Sequence, residues 1–270
     1  MGIVNVTPDS FSDGGRFLNP ASAIEHGETL VADGADILDI GGESTRPGAK
    51  PVSVAEECDR ILLVIEGLKH AGVPISIDTR HADVMRAALD AGASIINDVT
   101  ALTGDTESIS VARTSNAPVI LMHMQGEPGT MQDAPRYDDV VTDVFDYLES
   151  RTQACEAAGI DRSRLIVDPG IGFGKTTGHN LDLLEGLAVF QALGVPVLLG
   201  ASRKRFIGAL DPRVSRDERL GGSIAAALAG AARGAQILRV HDVKETVQAL
   251  TMASSIARGA TSTTASNDEK

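Results

Sequence analysis

The stretch Asp168-Pro169-Gly170-Ile171-Gly172-Phe173-Gly174-Lys175 places a carboxylate where the apolar run Leu165-Ile166-Val167 gives way to a glycine-rich loop. A carboxylate beside a proline turn and an aromatic ring suits a cyclic amidine, such as a pterin or guanine edge, because paired charge-assisted hydrogen bonds give both energy and orientation. Two nucleotide motifs fail here. A phosphate loop ending in Gly174-Lys175-Thr176 requires glycine at 169, which is proline, and the dinucleotide pattern requires glycine at 175, which is lysine. A close-packed turn without chemistry is the other reading.

Polar residues recur at the ends of other apolar runs: Asn5, Asp39, Asp78, Asn97-Asp98, His123, Ser202-Arg203-Lys204, and Arg239 with His241 around Val240. Asp78 and Asp98 read either as site residues or as caps of the following helix. Lys204, one of three consecutive bases in an acidic chain, suits an anion or an electron-rich ring. Residues two apart on a strand share a face, so Arg239 and His241 can hold one phosphate group together. The Asn5 carbonyl oxygen suits a hard cation such as Mg²⁺, which takes few protein ligands alongside substrate phosphates. His123, flanked by Met122 and Met124, reads equally as a satisfied core histidine.

Positioning these residues requires eight strands, predicted near 2–6, 36–40, 74–78, 94–97, 118–122, 165–168, 196–200 and 236–240. Helices are predicted near 20–33, 53–71, 81–91, 106–115, 137–158, 178–192, 217–233 and 242–257. Repeated strand–helix units imply a parallel sheet, and eight of them imply a TIM (β/α)8 barrel with its site at the C-terminal strand ends. The long loops 7–19 and 41–52, after strands one and two, are rich in Gly, Pro and polar residues and are expected to be mobile and functional. Residues 1–257 form one domain in this reading. The polar tail 258–270 is expected to be disordered.

Composition agrees. In 270 residues, 43% are apolar and only 3% aromatic, so the core must be built from Val, Ile, Leu and Ala, as in parallel strands buried on both faces. A formal charge of −13 opposes a polynucleotide partner. Attraction for an anionic substrate must then be local, at Arg46, Arg203, Lys204, Arg205, Arg239 and His241. Cys58 and Cys155 lack metal or redox spacing and read as reduced packing residues of a cytoplasmic protein. No signal peptide or membrane span is expected.

Taken in order, Asn5-Val6-Thr7-Pro8-Asp9-Ser10-Phe11-Ser12-Asp13-Gly14-Gly15, Gly42-Glu43-Ser44-Thr45-Arg46-Pro47-Gly48, Ile77-Asp78-Thr79, Asn97-Asp98-Val99, Met122-His123-Met124-Gln125-Gly126, the 168–175 loop, Ser202-Arg203-Lys204 and Arg239-Val240-His241-Asp242 resemble dihydropteroate synthase. The resemblance runs from residue 1 to about 257 and implies the barrel, Mg²⁺, a homodimer through the last helices, and condensation of 6-hydroxymethyl-7,8-dihydropterin diphosphate with p-aminobenzoate. It assigns Asp78, Asn97, Met122, Asp168, Phe173, Lys204 and Arg239 to the pterin, with Asp78, Lys204 and Arg239 catalytic. Asn5, Thr45, Arg46, Arg239 and His241 go to the Mg²⁺-bound diphosphate, Asn5 being the metal ligand. Phe11, Thr45, Pro47, Phe173, Ser202 and Arg203 go to p-aminobenzoate. Two departures stand out: the chain begins inside the first strand, which is expected to be short, and the tail has no family counterpart. A pterin-binding methyltransferase domain and a catalytically silent pterin-binding module are the alternatives. The first has no need of the second-substrate pocket, and the second would be expected to lose Arg239 or His241.

Overall fold

The computed structural model describes residues 1–7, 19–44, 51–127, 129–215 and 218–259. Among these residues, eight short strands alternate with helices: β1 (Gly2–Asn5), α1 (Pro20–Ala32), β2 (Leu38–Gly41), α2 (Val54–Leu68), β3 (Ile75–Asp78), α3 (Ala82–Ala91), β4 (Ile95–Asp98), α4 (Ser108–Ser115), β5 (Val119–Met122) and α5 (Val140–Ala157). Then follow β6 (Leu165–Asp168), α6 (Thr177–Glu185), β7 (Leu198–Leu199), α7 (Arg205–Leu210), α8 (Leu220–Ala232), β8 (Ile237–Leu238) and α9 (Val243–Arg258). β1 through β6 pair in sequence, all parallel, and β7 pairs with β8. Parallel bridges Val167↔Val197 and Gly2↔Val240 join these two sheets at both edges. The ring closes, and the expected barrel is present.

Alternation along each strand divides the core in two. Outward residues such as Val4, Leu38, Ile40, Ile77, Leu121, Val167 and Leu199 pack under the helices. Inward residues Ile37, Ile95, Ile120, Ile166, Leu198 and Ile237, with Met1, fill the barrel's interior. Two steps along, the inward positions turn polar: Asp39 on β2, Asp78 on β3, Asn97 on β4, Asp168 on β6 and Arg239 just past β8. The interior is greasy below and charged at its C-terminal mouth, where barrels of this kind carry chemistry.

The helix boundaries show local causes. Asn19 caps α1 with Pro20 at its first position, Ser53 caps α2 through Glu56 N, and Asp139 caps α5 through Thr142 N. Gly92 ends α3 at φ +125°, a conformation that L side chains rarely adopt. The helix expected over 178–192 is two elements: α6 stops at Glu185 and Gly186–Leu193 continues as a 3₁₀ helix. Its buried Leu187, Phe190 and Leu193 are spaced by three, which lines them up at three residues per turn. α7 was not expected. It begins one residue after Lys204 and buries Phe206 and Ile207.

Cys58 lies in α2 and Cys155 in α5, both free. No described helix is long and apolar enough to cross a membrane. β1 spans four residues yet is held on both sides, by β2 and, through Ile3 N to Val240 O, by the chain after β8.

Candidate active site at the barrel mouth

Arg239 organises the charged end of the barrel. Its Nε donates to Asp39 Oδ2 at 2.5 Å and its Nη2 to Asp78 Oδ2 at 2.7 Å. Asp39, 0% exposed, also accepts from Asn97 Nδ2 at 3.2 and 3.3 Å. Asn97 turns its donor group to Asp39, because its carbonyl oxygen would repel that carboxylate. Burial discourages the Arg239 charge, but Asp39 and Asp78 outweigh it and hold the guanidinium's pKa above its ordinary value. Burial drives Asp78 the other way, up to about 7, in spite of Arg239, and the negative charge of nearby Asp39 adds to the rise. Asp39 is the residue whose role the sequence did not reveal. Its one signal was an acid at an inward position of an otherwise apolar strand.

Opposite lies Asp168, at the end of β6. Its Oδ1 accepts Gly170 N at 2.7 Å, while Gly200 leaves the space between Asp168 Oδ2 and Arg239 without a side chain. Burial raises the Asp168 pKa, opposed by Lys204 and by the Gly170 amide. Lys204 donates to Ile171 O and sits 4.3 Å from the centre of the Phe173 ring. Burial pulls its ammonium down to about 8 against the favourable pull of Asp168. Met122 ends β5 beside Asp168, with which it is in register.

The loop 169–175 is pressed against the segment after β5. A Cβ at Gly170, whose φ is +69°, would lie 1.9 Å from His123 O, so only glycine permits that approach. His123 is a buried histidine with Lys175 Nζ on its Nδ1 at 2.8 Å and Tyr147 edge-on at 4.9 Å. Burial, then Lys175, lowers its pKa to about 3.

The three consecutive bases do not form one patch. Lys204 turns into the mouth, Arg203 pairs with Asp242, and Arg205 is exposed at the start of α7. Ser202 Oγ lies 3.0 Å from His241 Nδ1, joining the ends of β7 and β8. Asn5 ends β1, the strand bridged through Gly2 to Val240, the residue between Arg239 and His241. Asp98 caps no helix, since α4 begins only at Ser108; its oxygens accept from Thr100 N, Thr100 Oγ1 and Leu102 N and hold a turn in which Ala101 and Leu102 have positive φ. Phe11, Thr45, Arg46 and Pro47 lie outside the described residues, as do residues 8–18 of the first loop, 45–50 of the second and 260–270 of the tail.

Glu43, Glu57 and His81 place possible ligand atoms within 4.8 Å of one another. Arg80 already takes both Glu43 oxygens, at 3.0 and 3.1 Å, and His81 Nδ1 meets Glu57 Oε2 at 2.8 Å, so the cluster supplies its own cation. A surface hollow of about 610 Å³ lined by Arg86, Asp90, Ser94 and Pro118 lies at the N-terminal ends of β4 and β5, away from the polar mouth.

The family model described as pterin binding enzyme matches residues 1–241. Dihydropteroate synthase of Escherichia coli strain K12 is 49% identical over 251 residues, covering 93% of this chain and 88% of that protein. The structure of Xanthomonas albilineans dihydropteroate synthase with 4-aminobenzoic acid is 52% identical, with a TM-score of 0.90 over 96% of this chain and 92% of that one. A second structure of that enzyme, in complex with 7,8-dihydropteroate, is 48% identical, with a TM-score of 0.87 over 96% and 93%. Fold and sequence agree along nearly the whole chain, which belongs to the dihydropteroate synthase family.

Proposed function

We propose that the chain joins 6-hydroxymethyl-7,8-dihydropterin diphosphate to p-aminobenzoate, a transferase reaction that yields 7,8-dihydropteroate and diphosphate for folate biosynthesis. The observation that carries this reading is the convergence of Asp78, Asn97, Asp168, Lys204 and Arg239 on one barrel mouth, with Gly200 keeping the space beside Asp168 open.

The difficult step is breaking the bond between the pterin's exocyclic methylene and the diphosphate oxygen. The electron pair leaves with diphosphate, and positive charge spreads into the ring. Asp168 accepts from the amidine edge through the oxygen not used by Gly170, and it stabilises that cation together with Asp78. Asn97, Met122, Phe173 and Lys204 fix the ring. Arg239 covers the ring and, with His241, faces the leaving diphosphate. The aryl amine's lone pair then forms the new C–N bond, and the nitrogen loses its proton without a strong base, because a bonded anilinium is already acidic. Phe173, Ser202 and Arg203 belong to the p-aminobenzoate side in this assignment, with Phe11, Thr45 and Pro47. Thr45 and Arg46 also reach the diphosphate.

Asn5 offers one neutral oxygen at the end of the strand that bridges to Val240, and it would hold a Mg²⁺ ion brought in with the substrate's diphosphate. When bound, Mg²⁺ supplies charge neutralisation to the diphosphate. A homodimer through the last helices and a cytoplasmic location complete the proposal. Incubating the protein with the pterin diphosphate, Mg²⁺ and p-aminobenzoate should release dihydropteroate and diphosphate in equal amounts. Failure to form either product overturns the reading.

A further inference from the structure

Lys175 closes the glycine-rich loop, yet its ammonium points inward and is 3% exposed. Nζ lies 3.0 Å from Phe173 O, 2.8 Å from His123 Nδ1 and 3.5 Å from His123 O. An ammonium has three donors and no acceptor, so these three partners satisfy it when His123 carries its proton on Nε2. No carboxylate is in direct contact with Lys175 among the described ion pairs, and Asp168 favours its charge only through space. Burial pulls the amine well below the ordinary lysine range. A thioether of the same length would fill the space without that cost, so what the amine adds is its hydrogen bonds.

Those bonds complete a pattern. Gly170 O accepts Phe173 N at 3.1 Å, Ile171 O accepts Lys204 Nζ, and Gly172 O accepts Gln132 Nε2 at 2.7 Å. Phe173 O accepts Lys175 Nζ, and Gly174 O accepts Tyr137 Oη at 2.8 Å. Every carbonyl from Gly170 to Gly174 has a donor; Gln132 and Tyr137 come from the segment after β5, and Lys175 reaches that segment at His123. The same His123 backbone N–H donates to Asp168 O at 3.0 Å. One buried amine therefore ties the end of β5, the end of β6 and the Phe173 backbone together.

We infer that Lys175, acting through His123 and the Phe173 carbonyl, is a positioning residue for the pterin side of the site, setting the spacing of Asp168, Phe173 and Lys204. It touches no substrate. The inference rests on the pterin-binding reading of this mouth, and it assigns Lys175 chiefly to the pterin half of the reaction, its reach to the amine half passing through Phe173 alone.

The test is steady-state kinetics and calorimetric binding of the pterin diphosphate with Mg²⁺ to the parent, Lys175→Met and Leu148→Ala. Leu148 is fully buried in α5 and serves as a variant that loses stability by another route. Lys175→Met should weaken pterin binding on the order of 10- to 100-fold, as a small misplacement of binding groups does. Its KM for p-aminobenzoate should rise less than pterin affinity falls, since Phe173 is the one displaced group that also faces that substrate. Leu148→Ala should lower the melting temperature while leaving pterin affinity unchanged. Should Lys175→Met not fold, His123→Leu, which removes one partner of the amine, must show the same pterin-selective loss on a smaller scale. Parent-like pterin affinity in the variant that folds overturns the proposal, as does an equal loss for both substrates. A parent that makes no dihydropteroate overturns the functional reading, and the positioning role falls with it.

Discussion

Arg239 is held by Asp39 and Asp78, so removing it strands a fully buried carboxylate. Arg239→Ala should destabilise the protein by about 3–5 kcal/mol, the usual cost of breaking a buried pair from one side. Adding Asp39→Ala should recover part of that loss, which urea unfolding of the single and double variants would show as non-additivity. Additive losses would mean that the pair is not coupled. Diphosphate should also inhibit Arg239→Ala more weakly than the parent. Asp168→Asn should keep the fold but lose about 2–3 kcal/mol of pterin binding. Gly170 N claims one oxygen in either residue, so the amide must turn its NH₂ toward the ligand's own donors. Calorimetry checks this, and unchanged affinity would leave Asp168 as a turn residue. Lys204 gives a pH test. Burial lowers its pKa from 10.5 to about 8, so between those values the unfolded chain binds more protons than the folded one. Stability contributed by this group therefore rises with pH across that window, its burial penalty being complete below about pH 8. Unfolding titrations from pH 8 to 9.5 should show this slope in the parent and a smaller one in Lys204→Met.

At the scale of elements, the loop stems are joined by ion pairs. Arg80, two residues beyond Asp78, takes both oxygens of Glu43 at the stem of the second loop, and Glu43 Oε1 also accepts Val52 N from the loop's far side at 3.3 Å. Its other contact, to exposed Glu127 at 3.6 Å, is worth little. Because the Glu43 side chain is almost fully buried, Arg80→Met should cost about 3 kcal/mol. Glu43→Gln should cost less, since the amide oxygen can still accept Val52 N. Equal losses in chemical denaturation would contradict this picture.

For the whole molecule, closure rests on narrow seams. β7 and β8 contribute two paired residues each, and single bridges join them to the six-stranded sheet. The seam also carries Arg239, His241 and Ser202, so barrel closure and site assembly are one event. A dimer would act elsewhere. Met252 and Ile256, one turn apart on α9, are 63% and 72% exposed, and pairing of such positions between two copies is the expected use of the last helices. Sedimentation velocity should show a dimer that Ile256→Glu weakens. A monomeric parent would rule the dimer out.

Strand-end chemistry was legible in the sequence because inward alternation on a strand is local. Asp78, Asn97, Asp168 and Lys204 announce themselves as polar residues where apolar runs stop, and the eight-fold repeat implies the barrel that gathers them. Gly186 and the three-residue spacing of Leu187, Phe190 and Leu193 also lay in the sequence, but as a weaker 3₁₀ signal inside an apparent helix. What the chain alone could not decide was pairing across distant strands. That Arg239 belongs to Asp39, 200 positions away, that Arg203 turns to Asp242 while its neighbour Lys204 turns inward, and that His123 meets Lys175 all follow from closure of the ring. Closure is a tertiary event: it brings strand ends within hydrogen-bonding distance, and burial then compels each polar group to find whichever partner lies across the mouth.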